Sequence, residues 1–278
     1  MYNYVLGEYM MWCRELLNIL EFQIETPKPY GIFHLVWLFI TVIVIILLSL
    51  IRNRNNDKQL KCILGIYGIV ALIFEILKQL IWTIDYDTST NTFLWDYTWY
   101  AFPFQLCTTP IYVCIICLFL NKARLRDSLL AYMAYTTILG SISSALIPDS
   151  LFVSDLLVDI HTMWLHLGSL VVSVYLLMSK EVKGDKKSFK DAILVFIFFV
   201  VIANILNIVV YNSGILNGET FNMFYISPYF ESTLPIFDVI YENIPYPAFL
   251  LVYIVALSIG SYIIYKIAQI FSRNNEKN

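Results

Sequence analysis

The strongest constraint on this chain is the repetition of apolar stretches about twenty residues long. A helix needs roughly 20 predominantly apolar residues to cross a ~30 Å hydrocarbon core. The sequence predicts such spans at 31–51, 62–83, 99–120, 128–147, 156–178, 192–211 and 247–271. Hydrophobic residues make up 59% of the 278 residues and charged residues only 14%, too few to cover a water-soluble surface. We therefore expect an all-α polytopic membrane protein with seven transmembrane helices.

The basic residues predict how the helices are oriented, because Lys and Arg next to a span stay in the cytoplasm. Fifteen of the 18 basic residues lie in the segments 52–61, 122–126, 180–190 and 266–277. These segments follow the first, third, fifth and seventh spans, whereas the loops between them carry acidic residues. This alternation predicts an N-terminus outside the cell, a C-terminus in the cytoplasm and seven spans.

Residues 1–29 predict an amphipathic interfacial helix rather than a secretory signal, because they lack a basic start and contain several glutamates. Apolar residues such as Trp12 and Leu16 recur at helical spacing, and Pro27 and Pro29 are expected to end the helix. A lid over a membrane-embedded site is the alternative. The predicted organisation is then this helix, a seven-helix domain at 30–271 and a short cytoplasmic tail at 272–278.

Polar residues at membrane depth are costly, so each is a candidate for function. In ideal helices, Cys107 would lie roughly 12 Å and His166 about 15 Å from the outer ends of their spans, hence at matched depth in the outer half of the bilayer. Either residue alone is readily a packing residue, and the matched depth is what makes them a candidate pair. Glu75 and Lys78 are three residues apart and are expected to form an ion pair, which is either structural or part of a site.

Other features are less specific. His161 and His166 would lie ~140° apart around a helix, unlike the i, i+4 histidines of a helical zinc motif, so no metal and no cofactor are predicted. At most one of the two is expected to face Cys107. Pro110 is expected to kink the third span and free the Leu106 carbonyl. The five cysteines form no disulfide framework, and no nucleic-acid-binding signature is present.

The segment 102–107, Phe-Pro-Phe-Gln-Leu-Cys, resembles the YwaF-like bacterial integral membrane proteins. Their animal relatives are transmembrane acyltransferases that move fatty acyl chains onto ether lysophospholipids. A second match starts at His166 and ends at Tyr175, and weaker ones lie near Glu75 and at 222–225. The resemblance covers roughly residues 31–255. It implies a protein of the bacterial plasma membrane with phospholipid substrates.

The resemblance also implies residue roles. Cys107 would be the nucleophile, and His166 rather than His161 would be its partner. The family often has His two residues before the cysteine, where this chain has Gln105, which cannot titrate. The residues expected to support catalysis or to bind substrate are His34, Glu75, Lys78, Gln105, His161, Asn204, Asn207 and Asn222.

Three functions remain open on the sequence. The first is a cysteine-dependent phospholipid acyltransferase, or a lipase if water replaces the acceptor lipid. The second is a small-solute carrier or binding protein with a polar outward-facing pocket lined by Glu75, Lys78 and asparagines. The third is a metal hydrolase that would use His34, His161, His166 and Glu75.

Overall fold

The computed structural model describes residues 12–52, 56–87, 89–90, 92–121, 123–148 and 151–274, and helices dominate these ranges. Six helical segments within them are long and apolar enough to cross a membrane. They are α2 (Ile32–Ile51), α3 (Asp57–Ile81), α5 (Arg124–Tyr132) continued through a π-helical turn (Met133–Thr137) into α6 (Ile138–Leu146), α7 (Leu156–Met178), α8 (Lys186–Asn212) and α10 (Tyr246–Asn274). The prediction of an all-α polytopic membrane protein is confirmed.

The third predicted span is not one helix, and this is the main correction to the sequence-based prediction. A 3₁₀ turn at Trp99–Ala101 is followed by an irregular stretch, 102–108, and then by the short apolar helix α4 (Thr109–Phe119). The whole segment runs antiparallel along α3. Gln79 of α3 donates to the Ala101 carbonyl over 2.7 Å, and a Cβ on Gly68 would lie 2.8 Å from that of Cys114. The segment therefore crosses the bundle, half irregular and half helical.

Pro110 explains where the helical half begins. The prediction of a kink at Pro110 is wrong, because this proline lies in the first turn of α4. An N–H at that position would have no intrahelical acceptor, so the proline removes no hydrogen bond from the helix. The Leu106 carbonyl accepts a hydrogen bond of 2.8 Å from the Thr109 hydroxyl. This carbonyl of the break is thus paired locally, as membrane depth requires.

The N-terminal helix ends earlier than predicted. Residues 12–20 are helical (α1), and the helix ends well before Pro27, so the prolines do not end it. The chain beyond it pairs with the segment that precedes α7: the Ile24 N–H donates to the Ser154 carbonyl over 2.7 Å. This extended pairing takes the backbone out of the helix. Trp12 and Ile19 are largely exposed, as expected of an interfacial helix. The predictions for residues 1–11 and 275–278 lie outside the described part.

A hairpin that the sequence analysis missed covers the C-terminal end of α3. Strand β1 (Ile84–Asp87) pairs antiparallel with β2 (Thr92–Trp95), and Ile84 lies opposite Trp95. The Thr98 hydroxyl donates to the carbonyl of Trp82 over 2.8 Å, just after the last turn of α3. The hairpin therefore fixes the start of the irregular crossing segment against α3.

Helix α7 lies at the centre of the bundle, where it packs against α2, α3, α6 and the π-helical turn. Helix α3 also packs against α4, and α5 packs against α8. Helix α10 packs against the π-helical turn, α8 and the short helix α9 (Phe237–Asn243). Within the π-helical turn the Met133 carbonyl accepts hydrogen bonds from Thr137 and from Ser173 of α7. These bonds hold the wider turn against the central helix.

Candidate functional site

Cys107 lies in the irregular stretch, two residues before α4 begins. The backbone amides of Cys107 and Thr108 lie beside its sulfur. The start of a helix carries partial positive charge, and this favours a negatively charged group placed there. The break thus puts a thiol next to two backbone amides and a helix N-terminus.

A buried charged cluster faces this cysteine from α3. The Glu75 carboxylate accepts hydrogen bonds from Lys78 and from Gln79, both of 2.8 Å. Glu75 and Lys78 are 4% and 8% exposed, so both charges are removed from solvent. The predicted ion pair is therefore confirmed. The Cys107 thiol is within electrostatic range of both charges.

The two histidines of α7 have different surroundings. His161 is buried, and its Nε2 lies 3.3 Å from the second oxygen of Glu75. The side chain of His166 makes no hydrogen bond within the described residues and is in electrostatic range of His161. Like Cys107, it is partly buried. A direct contact between Cys107 and His166 stays a prediction.

Tyr67 is near both parts of the candidate site, and the sequence analysis did not single it out. Its hydroxyl donates to the Leu165 carbonyl, next to His166, over 3.1 Å. The same tyrosine is in electrostatic range of Cys107. Tyr67 lies eight residues before Glu75 on α3, a spacing that puts both on one helix face. This spacing from Glu75 is the sequence feature that indicates that Tyr67 faces the same side of α3.

Gln105 and two asparagines have architectural roles. The Gln105 amide donates to the Asn222 carbonyl over 3.0 Å and accepts from the Phe224 N–H over 2.7 Å. Asn207 of α8 binds both backbone groups of Met223, over 2.7 and 3.0 Å. Asn222 binds the Glu231 carbonyl and the Ser227 N–H. Together they fix the segment 221–227, named here the inner loop, against the break.

The inner loop brings a second tyrosine to the site. Phe224 and Tyr225 have positive φ angles of 59° and 57°, an uncommon backbone conformation outside glycine. The hydrogen bonds from Gln105 and Asn207 support this conformation. Tyr225 is in electrostatic range of Cys107 as a result. The sequence offers little sign of this arrangement, because the inner loop is too short to give a hydropathy signal.

Asn204 and His34 lie away from the thiol. The Asn204 amide contacts the Tyr246 hydroxyl, which itself donates to the Ile226 carbonyl over 3.0 Å. His34 accepts a hydrogen bond from the Tyr30 N–H over 3.2 Å, and its ring packs 5.7 Å from that of Phe152. Among the residues that the structure describes, no group of three or more His, Cys, Asp and Glu side chains is arranged to hold a metal ion.

The fold and the site define the class: an integral membrane protein of helical bundle type, with a polar cluster at the break of a membrane-crossing segment. The chain belongs to the TMEM164 family, whose model matches residues 29–265. The relation to these animal transmembrane proteins is thereby confirmed, whereas the relation to the YwaF-like bacterial proteins stays a prediction. The chain matches no curated protein and no solved structure.

Proposed function

We propose that this protein is a membrane-embedded acyltransferase that moves a fatty acyl chain between phospholipids through a thioester on Cys107. The observation that supports this most is the position of Cys107, at the N-terminus of α4 and beside Lys78. A thiol in apolar surroundings is a poor nucleophile unless neighbouring groups favour the thiolate. A helix N-terminus and a lysine are groups of that kind.

In the first half-reaction the Cys107 sulfur attacks the ester carbonyl of a donor phospholipid, and His166 takes the thiol proton. The carbon–oxygen bond to the glycerol breaks, and the departing lysophospholipid oxygen receives that proton. The acyl chain is then held as a thioester. The Cys107 N–H and the Lys78 ammonium would stabilise the oxyanion that forms during attack.

The second half-reaction reverses the roles. The hydroxyl of an acceptor lysophospholipid attacks the thioester, and His166 accepts its proton. The new ester forms as the carbon–sulfur bond breaks, and the cysteine regains the proton from His166. If water attacks instead, the product is a free fatty acid and the activity is that of a lipase. We place the reaction in the outer half of the bilayer, where the ester groups of outer-leaflet lipids lie.

Transfer of a labelled acyl chain tests this proposal. Purified protein in detergent micelles receives a phospholipid labelled in its acyl chain and an unlabelled lysophospholipid. The label should move to the acceptor with the wild type and not with Cys107→Ser. Cys114→Ser is the matched control, because Cys114 is fully buried on α4 and should keep the activity. Equal activity of the two variants would refute the role of Cys107.

A solute carrier is the second candidate, and the broken segment favours it. Discontinuous helices at membrane depth line the binding sites of many transporters. The Glu75–Lys78 pair beside the break would then line a translocation path. Acyl transfer would be absent from a carrier, so the labelled-lipid experiment separates the two candidates.

A further inference from the structure

A cavity of about 220 Å³ lies among the membrane-crossing helices α2, α3 and α7. It is named here the lateral groove, and its lining includes Thr41 and Val44 of α2, Ile66 and Tyr67 of α3, and Gly168 and Val171 of α7. In the described structure α2 packs against α7 but not closely against α3. The groove therefore lies between α2 and α3, and α7 closes it at the back.

The groove offers hydrocarbon and few free polar groups. The Thr41 hydroxyl donates to the Trp37 carbonyl over 2.8 Å. The Trp164 ring N–H donates to the Tyr67 carbonyl over 3.2 Å, and the Tyr67 hydroxyl donates to Leu165. With these groups already paired, a polar ligand would lose its own hydrogen bonds to water and gain none here. An alkyl chain makes no hydrogen bonds to water, so it loses none when it enters the groove.

One end of the groove is close to the candidate site. The Tyr67 ring lies against α7 at Gly168, where a Cβ would come within 2.8 Å of the ring. Tyr67 thus lines the groove and is also in electrostatic range of Cys107. From there the groove extends along α3 toward Ile63, away from the outer end of that helix. This is the direction in which an outer-leaflet acyl chain points.

We infer that the lateral groove binds the fatty acyl chain of the phospholipid, with its carbonyl end toward Cys107 and its methyl end toward the middle of the membrane. This inference rests on the proposed function. It assigns chain-length selection to the groove, because a longer chain fills more of it. Entry is sideways from the lipid between α2 and α3, so the substrate does not cross the aqueous phase.

Two valines of α2 give a matched test. Val44 lines the groove, whereas Val42 is 55% exposed on the lipid-facing side of the same helix. Val44→Trp should fill the groove and lower transfer of a hexadecanoyl chain about tenfold or more, while a hexanoyl chain is transferred almost as in the wild type. Val42→Trp should change neither rate. An equal loss for both chain lengths, or equal effects of the two variants, would overturn the inference.

A binding experiment separates failure of the groove from failure of the enzyme. A phosphatidylcholine with a photoreactive diazirine in mid-chain is cross-linked to the wild type, and the labelled peptides are mapped. Labelling should concentrate on the segments around Val44 and Val171, and Val44→Trp should remove it there. Such labelling without any acyl transfer would support the groove as an acyl-chain site and refute the proposed acyltransferase activity. Labelling spread evenly over the lipid-facing helices, or groove labelling by a photoreactive sterol alone, would refute the groove as an acyl site.

Discussion

The ammonium of Lys78 and the carboxylate of Glu75 lie 2.8 Å apart inside the bundle, three residues from each other on α3. Breaking a buried pair leaves one charge without compensation and typically costs about 3–5 kcal/mol. Lys78→Met should therefore lower the unfolding temperature strongly, and adding Glu75→Leu should recover much of the loss. Thermal unfolding in detergent measures both changes.

The control for this prediction is on the same helix. Lys61 pairs with Asp57 over 3.6 Å, and both side chains are about a third exposed. Pairs of this kind contribute roughly 0–1 kcal/mol. Lys61→Met should thus leave the unfolding temperature almost unchanged. Equal shifts for Lys61→Met and Lys78→Met would contradict the view that the Glu75 pair is a buried structural element.

Asn207 should be important for folding because it binds both backbone groups of Met223. Asn207→Leu keeps the volume but leaves two buried backbone groups unpaired, at about 1–3 kcal/mol each. The variant should unfold at a clearly lower temperature, and its inner loop should no longer be held against α8. Asn212→Leu is the control, since Asn212 is exposed near the end of the same helix. A similar unfolding temperature for the two variants would refute the proposed role of Asn207.

The two histidines of α7 should differ in their effect on acyl transfer. His166→Gln should lower the rate about 10²-fold or more, because the general base is lost. His161→Gln should do less, since its Nε2 faces Glu75, 3.3 Å away. Adding Cys107→Ser to His166→Gln should reduce the rate little further, as expected for residues of one catalytic unit. Larger harm from His161→Gln, measured in the same assay with folding verified, would reverse the assignment.

The orientation in the membrane can be tested by thiol labelling of intact cells. Cys13 and Cys62 are exposed and are first replaced by Ser. In that background a cysteine at Thr90, in the hairpin, should react with a membrane-impermeant reagent, and one at Gly184 should not. The acidic and basic loops on alternate sides are the reason for this expectation. Labelling at Gly184 alone would invert the predicted topology.

Hydropathy predicted the six continuous spans within a few residues, because a lipid-facing helix must be apolar along its whole length. It could not predict the break at 102–108, since this stretch is apolar too and differs only in its backbone. The Thr-Pro pair at 109–110 was the available signal, because proline is favoured in the first turn of a helix. Within a continuous apolar stretch, however, the same proline also indicates a kink, and the sequence does not distinguish the two.

The Glu75–Lys78 pair was predictable because it depends only on spacing within one helix. The roles of Gln105 and Asn207 were not, since both bind the inner loop, more than a hundred residues from Gln105 along the chain. The depth match between Cys107 and His166 assumed an ideal third helix. That assumption fails at the break, so the proximity of the two side chains stays a prediction.

An acyl adduct on the cysteine is the most direct test of the central claim. The wild type is incubated with a phospholipid that carries an isotope-labelled acyl chain, in the absence of acceptor, and its peptides are analysed by mass spectrometry. The peptide with Cys107 should gain the mass of the labelled acyl group and lose it on treatment with neutral hydroxylamine, which cleaves thioesters. Peptides with Cys114 and Cys117 should stay unmodified. Label transfer to added lysophospholipid without any adduct on Cys107, in wild type and in Cys107→Ser alike, would contradict the account.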